Sequence, residues 1–284
     1  MSLTLKAPAK VNLFLEIKNK RPDGYHNLET IMQTVSLCDE LVFEPKNSGI
    51  SLNVYAKQDK IPDDESNLAY KAAKLFREFF KIDKGIKIIL KKNIPSGAGL
   101  GGGSSDAASV ILGLQKFWNI EAEKQTSEKI AAKIGADVPF FLTGSTALCE
   151  GIGEKITPLK PLKNLNAVIV KPNFAIATTN IYKKIKFPLS CSKNINKIKE
   201  AIEFGLFDKQ KADSLCFNRL EEFVINDNPE ILEIKNYLKN LNCASFMSGS
   251  GSAVFGIYDA PENKENLKCE LSKKNWNFYF VNDY

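Results

Sequence analysis

PSGAGLGGGSSDAASVILGL, residues 95–114, decides the fold of this chain. Five glycines fall within the seven positions 97–103, and Ala107, Ile111, Leu114 and Trp118 then keep helical spacing. A backbone stripped of side chains just before a helix is costly to order. It is repaid when a polar group sits against it. Successive amides and an open helix N-terminus together suit phosphate oxygens. The P-loop pattern fails, because Gly103 stands where the lysine would be. The dinucleotide fingerprint matches in letters through Gly97, Gly99 and Gly102. Its context is wrong, since residues 93–96 separate it from the preceding apolar strand and Glu121 and Glu123 lie in a polar segment after the helix. A loop that holds polyphosphate by backbone amides, with Ser104 and Ser105 adding hydroxyls, is the reading that remains. Asp106 is placed to cap the helix or to reach a metal.

Outward from the loop, the spacing predicts strands and helices without regular alternation. Val11, Leu13, Leu15 and Ile17 alternate with Asn12, Phe14, Glu16 and Lys18, a strand period that puts Lys10 and Asn12 on one face. Pro22-Asp23-Gly24 marks a turn. Residues 30–43, 50–56 and 86–90 read as further strands. Ser66 is expected to cap a helix with Leu68, Ala72, Leu75, Phe76 and Phe79 on its apolar face. Thr126 opens another helix, which stops at Gly135. A linker is expected around Pro158 and Pro161. Beyond it, 167–170, 244–247, 253–258 and 276–281 suit strands, and 195–207, 220–241 and 262–273 suit helices. The fold class is α+β in two lobes. The expected domains are 1–157 and 158–284.

Composition narrows the function. The 284 residues are 44% hydrophobic and 25% charged, ordinary for a globular protein. No apolar run approaches the roughly 20 residues of a membrane span. Lys6 and Lys10 interrupt the N-terminal stretch, so the expectation is a cytoplasmic protein. Net charge is +6, and 36 of 39 basic residues are lysines spread along the chain. That spread is no nucleic-acid stripe, and no membrane or obligate protein partner is indicated. The six cysteines have no metal-ligand spacing and are expected to be free, buried thiols. A single histidine, His26, all but excludes a multi-histidine metal centre.

Residues 95–105 resemble the central motif of the GHMP small-molecule kinases. Two more motifs follow that family's order, Ala7-Pro8-Ala9-Lys10-Val11-Asn12-Leu13 and Ser248-Gly249-Ser250-Gly251-Ser252. Arg21-Pro22-Asp23-Gly24-Tyr25-His26-Asn27-Leu28 and Gly135-Ala136-Asp137-Val138-Pro139-Phe140-Phe141 are similar to the branch that phosphorylates 4-diphosphocytidyl-2-C-methyl-D-erythritol in non-mevalonate isoprenoid synthesis. The resemblance implies an ATP-binding lobe like domain 2 of ribosomal protein S5, a ferredoxin-like substrate-side lobe, and an active site in the cleft between them. It implies that Asp137 accepts the proton of the attacking 2-hydroxyl and that Lys10 orients it and steadies charge. ATP is expected on Pro95, Gly97, Gly99, Leu100, Gly101, Gly102, Gly103, Ser104 and Ser105, with Asn67 near the adenine. Mg2+ is expected beside ATP, at Ser105 or on the phosphates, with its full ligand set open. The cytidine diphosphate substrate is expected on Asn12, Tyr25, His26, Thr178, Tyr182, Gly249 and Gly251. Tyr25 and Tyr182 would stack on the base while His26 meets its edge. A homoserine- or mevalonate-type kinase is the alternative, with an NAD-dependent oxidoreductase behind it. A non-catalytic nucleotide sensor would need neither Lys10 nor Asp137.

Overall fold

The computed structural model describes residues 2–57, 60–189, 193–259 and 263–284. Along the chain run β1 (Leu3–Lys20), β2 (His26–Lys46), β3 (Ile50–Ala56), α1 (Leu68–Phe80), β4 (Gly85–Lys92), α2 (Gly102–Trp118), α3 (Lys124–Ile134) and α4 (Val138–Thr143). Then come β5 (Thr146–Gly151), β6 (Lys155–Pro158), β7 (Asn166–Lys171), α5 (Thr178–Lys184), α6 (Asn196–Glu203), α7 (Lys209–Leu215), β8 (Phe217–Asn218) and α8 (Glu221–Val224). The chain ends with α9 (Pro229–Asn240), β9 (Ala244–Met247), β10 (Val254–Ile257), α10 (Asn263–Leu271) and β11 (Asn277–Asn282). They fall into two compact units.

One unit holds residues 1–9, 37–96 and 101–144. Its strands follow the order β3-β4-β2-β1. β4 runs antiparallel to β2, with Glu40 opposite Lys91, and parallel to β3, with Ile50 opposite Ile86. Helices α1 to α4 complete the unit. Ala69, Ala72, Ala73 and Phe76 of α1 are buried, one face of a 3.6-residue period. Phe79, expected on that face, is 52% exposed instead. Ser66 is not the cap. Asn67 is, its side chain accepting from Ala69 N at 2.9 Å, because the N-cap position places its oxygen over the amides two and three residues on. α3 starts two residues before Thr126, at Lys124.

The other unit holds residues 10–36, 97–100 and 145–284. Here β1 pairs in parallel with β8, and β2 pairs antiparallel with β5, which pairs with β6. A four-stranded antiparallel sheet has the order β11-β7-β10-β9. Val168, Val170, Ile231, Ile234, Leu238, Val254, Leu267 and Leu271 form its core with Leu15 and Ile17 of β1. The expected linker is packed structure. Pro158 ends β6, and Leu159, Leu162 and Leu165 are buried. Three leucines at that spacing bury enough apolar surface to outweigh the turn signal of the prolines. The expected helix 195–207 stops at Glu203, and 220–241 is broken into α8 and α9 ahead of Pro229. After β11, Asp283 bridges Val35 of β2.

Cys149, Cys216 and Cys243 are buried as expected, but Cys38 is half-buried and Cys269 is exposed. Cys191, and Glu262 at the expected start of α10, lie outside the described residues. Among the described residues no helix is long and apolar enough to cross a membrane.

Candidate active site

Lys10 and Asn12 lie on one face of β1, as the period of two requires, and both are buried. A lysine is rarely buried without acceptors for its ammonium. Here Nζ donates to Asn12 Oδ1 at 2.6 Å and to the Gly99 carbonyl at 3.0 Å. Thr30 of β2 sets the Asn12 amide. Its hydroxyl accepts from Asn12 Nδ2 at 2.8 Å and donates to the Phe14 carbonyl at 2.6 Å. With Nδ2 so engaged, Oδ1 is turned toward Lys10. Ser248 Oγ donates to the same Gly99 carbonyl at 2.9 Å. A β-carbon on Gly249 would come within 3.2 Å of both Lys10 Nζ and Asn12 Oδ1. Three segments separated by more than 80 residues thus meet around one ammonium. No sequence pattern signalled Thr30.

The glycine loop divides into two parts. Gly97, Gly99 and Gly101 have φ of +57°, +72° and +72°, a region that disfavours side chains. At Gly97 and Gly99 the close neighbour is the protein itself. A β-carbon would strike Ala175 at Gly97 and the Ser248 carbonyl at Gly99. The missing side chains thus leave room for the chain itself, the Ala175 methyl group at Gly97 and the Ser248 carbonyl at Gly99. Leu100 is buried, and its carbonyl accepts from Lys10 N at 2.9 Å.

In the other unit, Gly101 is the left-handed N-cap of α2, and its carbonyl accepts from Ser105 N at 2.9 Å. At Gly102 a β-carbon would press on Ile94 at 3.0 Å, whereas at Gly103 it would meet only Leu68 at 3.6 Å. Gly103 and Ser104 are the open positions of the helix start, and Pro95 is half-buried before it. Ser105 Oγ is buried with no hydrogen-bond partner. A buried hydroxyl left so costs about 1–3 kcal/mol, so it suits a ligand oxygen or cation at the end of α2. Asn67 spends its side chain on structure, capping α1 and donating to the Pro62 carbonyl at 2.7 Å.

Asp106 neither caps α2 nor reaches outward; it belongs to a buried cluster. Lys92 Nζ pairs with Asp39 and, at 2.6 Å, with Asp106. Asp39 also accepts from Asn93 N at 2.5 Å and Ile94 N at 2.8 Å, which ties the end of β4 to β2. Burial, with the Asp39 carboxylate beside it and only partly offset by Lys92, pushes the Asp106 carboxyl up to about 8. Lys92 is itself held above its ordinary value, because the two carboxylates outweigh its burial.

Asp137 is the N-cap residue of α4, with φ −82° and ψ −11°, and its side chain makes no bond to that helix's amides. Pro139 at the helix start explains this, since it removes one of the amides a cap would satisfy.

The expected base-binding residues gather in the unit that holds Lys10. Tyr25, at the tip of the β1–β2 turn, is 60% exposed. His26 opens β2 and is buried, so it is no surface-turn histidine. Its ring lies 5.3 Å from that of Tyr182 on α5. Burial, and then the charge of Lys20, hold the imidazole below its ordinary value, so it is neutral at pH 7. Thr178 Oγ1 pairs with Ser250 Oγ at 2.7 Å. In the 248–252 turn the Gly251 amide donates to the Ser248 carbonyl at 2.9 Å.

Two further features escaped the sequence. Asn218 Nδ2 donates to the carbonyls of Met247 and Gly249 at 2.7 and 2.8 Å, and so pins the 248–252 turn. Glu16 and Arg219, both fully buried, make a two-bond pair at 2.7 and 2.8 Å. Burial raises the Glu16 carboxyl, but Arg219 and the Lys193 and Ile17 amides outweigh it and bring it below its ordinary value. Nothing in the spacing of residues 16, 218 and 219 connects them; the parallel pairing of β8 with β1 does.

Residues 67–145 match the GHMP kinases N terminal domain and residues 193–277 the GHMP kinases C terminal domain. The chain is 43% identical over 277 residues to a 4-diphosphocytidyl-2-C-methyl-D-erythritol kinase of Caldicellulosiruptor saccharolyticus, covering 95% of this chain and 94% of that one. It is 41% identical over 265 residues to the enzyme of that name from Clostridium perfringens, covering 90% and 89%. A crystal structure of a 4-(cytidine 5'-diphospho)-2C-methyl-D-erythritol kinase is similar with a TM-score of 0.82 and 35% identity, over 99% of this chain and 100% of that one. A homoserine kinase from Cytophaga hutchinsonii has a TM-score of 0.80 at 18% identity, a likeness of fold alone. By these matches along nearly its whole length, the chain belongs to the 4-diphosphocytidyl-2-C-methyl-D-erythritol kinase family of the GHMP kinases, which are ATP-dependent small-molecule kinases.

Proposed function

We propose that this chain transfers the γ-phosphoryl group of ATP to the 2-hydroxyl of 4-diphosphocytidyl-2-C-methyl-D-erythritol, in the cytoplasm, as a step of non-mevalonate isoprenoid precursor synthesis. The observation that carries the reading is the meeting of residues 10–12, 99 and 248–249 around the Lys10 ammonium. Family motifs that lie far apart in the chain converge on a group suited to stabilise the negative charge that spreads in phosphoryl transfer.

Lys10 holds the acceptor hydroxyl and offsets its growing charge. Asn12 and the Gly99 carbonyl fix the ammonium, so no reorganisation is needed as charge develops. Asp137 takes the hydroxyl proton. A carboxylate is a weak base toward an alcohol, so the proton moves as the new bond forms. The start of α2, with Gly103, Ser104 and Ser105, binds the phosphates, while Pro95, Gly97, Gly99, Leu100, Gly101 and Gly102 shape the loop. Mg2+ neutralises phosphate oxygens when bound, and the orphaned Ser105 Oγ fits such a ligand. Asn67 borders the adenine through its backbone and stem. On the substrate side, His26 reads the base edge, Tyr25 and Tyr182 flank the base, and Thr178 and Gly249 add polar contacts. The two domains are 1–157 and 158–284. The two family matches, 67–145 and 193–277, fall on either side of that boundary and support it.

The test is ADP release from ATP and Mg2+ with three acceptors: the cytidylated methylerythritol, mevalonate and homoserine. Release with the first is expected. Release only with mevalonate or homoserine would move the chain to those kinases.

A further inference from the structure

His26 carries a feature that base recognition alone does not explain. Its Nε2 is buried and has no hydrogen-bond partner. Its residue is 6% exposed, although it opens a strand next to a turn whose Tyr25 is 60% exposed. Something other than β2 covers it. Two rings do so. Tyr182 lies at 5.3 Å and 37°, and Phe187 at 5.9 Å and 21°, nearly parallel to the imidazole. Phe187 sits past the end of α5, and Ile181 and Ile185 anchor this segment in the core. Phe187 itself is 39% exposed and is among the few large apolar side chains left at the surface. This partly exposed aromatic ring is stacked on the chain's sole histidine. Its effect falls on the imidazole.

A dry Nε2 is a sharper instrument than a wet one. When water reaches a polar atom, a mismatched ligand leaves it solvated and loses little. When water is kept out, a mismatched ligand leaves it unpaired, and discrimination rises by orders of magnitude. We propose that Phe187 is a specificity-determining residue, which stacks on the His26 imidazole, excludes water from Nε2 and so enlarges the difference between cytosine and uracil substrates. This rests on the reading that His26 meets the base edge. Phe187 acts through His26 and is a positioning residue. The neighbouring groups that bear on the imidazole are Lys20, whose charge opposes protonation, and the Tyr182 ring.

The test uses Phe187→Ala and Phe187→Leu in the full chain. Steady-state kinetics compare the cytidine substrate with its uridine analogue. In Phe187→Ala the ratio of their kcat/KM values is expected to fall about tenfold, chiefly through KM. Phe187→Leu keeps the apolar cover and is expected to keep most of the ratio. The second readout is the NMR titration of the one histidine, which needs no assignment because the chain has no other. Its midpoint is expected to rise toward the ordinary 6.5 in Phe187→Ala, as water returns, and to stay low in Phe187→Leu. An unchanged ratio or an unchanged midpoint in Phe187→Ala overturns the proposal. If the wild type phosphorylates no cytidine substrate, the functional reading falls on its own, while the titration still reports on the stack.

Discussion

Asp106→Asn is the substitution whose consequence the structure determines most fully. Two carboxylates, Asp39 and Asp106, share the one ammonium of Lys92 in a buried cluster. Fully ionised, the cluster would carry an uncompensated negative charge in a low dielectric. Asp106 therefore keeps its proton up to about 8, against an ordinary value of 3.8. In the unfolded chain the same carboxyl loses its proton near that ordinary value. Between the two, the native state binds more protons than the unfolded one, so stability falls as pH rises, by about 1.4 kcal/mol per pH unit. An asparagine does not titrate, and its Oδ1 still accepts from Lys92. The stability of the variant minus that of the wild type should thus grow by about 1.4 kcal/mol for each unit between pH 5 and pH 7, and level off above pH 8. Urea unfolding followed by circular dichroism at pH 5, 6, 7 and 8 measures it, with the midpoint moving and the slope m unchanged. A difference that stays flat across this range would refute the raised Asp106 carboxyl. The sign is the unusual one: a buried carboxylate paired only with a cation would make the wild type gain stability with pH.

Three other outcomes are expected. Asp137→Asn should lower kcat by about 10²–10⁴-fold, the range for losing a general base, while ATP affinity measured by calorimetry is retained; near-normal turnover would remove Asp137 from the reaction. His26→Ala should abolish the preference for cytidine over uridine substrates in competition assays, and an unchanged preference would mean another group reads the base. Asn218→Ala strips the Met247 and Gly249 carbonyls of their shared donor, a loss of about 1–3 kcal/mol. Since that donor pins the turn over Lys10, substrate KM should rise more than kcat falls. Equal changes in both would point to Lys10 rather than the turn.

Residues 95–114 and the alternation of residues 10–18 announced a glycine-rich loop, the helix after it, and the shared face of Lys10 and Asn12. These are local properties. Glycine density, a two-residue period and a helical period are written in neighbouring positions, and backbone geometry converts them directly into structure. The sequence alone also determined α+β class, and the order of its motifs determined the family. Tertiary structure decided what those letters are for. Gly97 and Gly99 read as a loop open to phosphate, and only the fold shows that Ala175 and the Ser248 carbonyl also lie against them. Asp106 read as a cap or a metal ligand, yet it lies in a buried cluster with Lys92 and Asp39 that raises its carboxyl. Thr30, Asn218 and Phe187 had no signal at all, because each acts through a partner 18 or more residues away. The physical reason is the same throughout. Whether a polar group is functional depends on whether its hydrogen bonds are already satisfied, and contacts between distant segments settle that account.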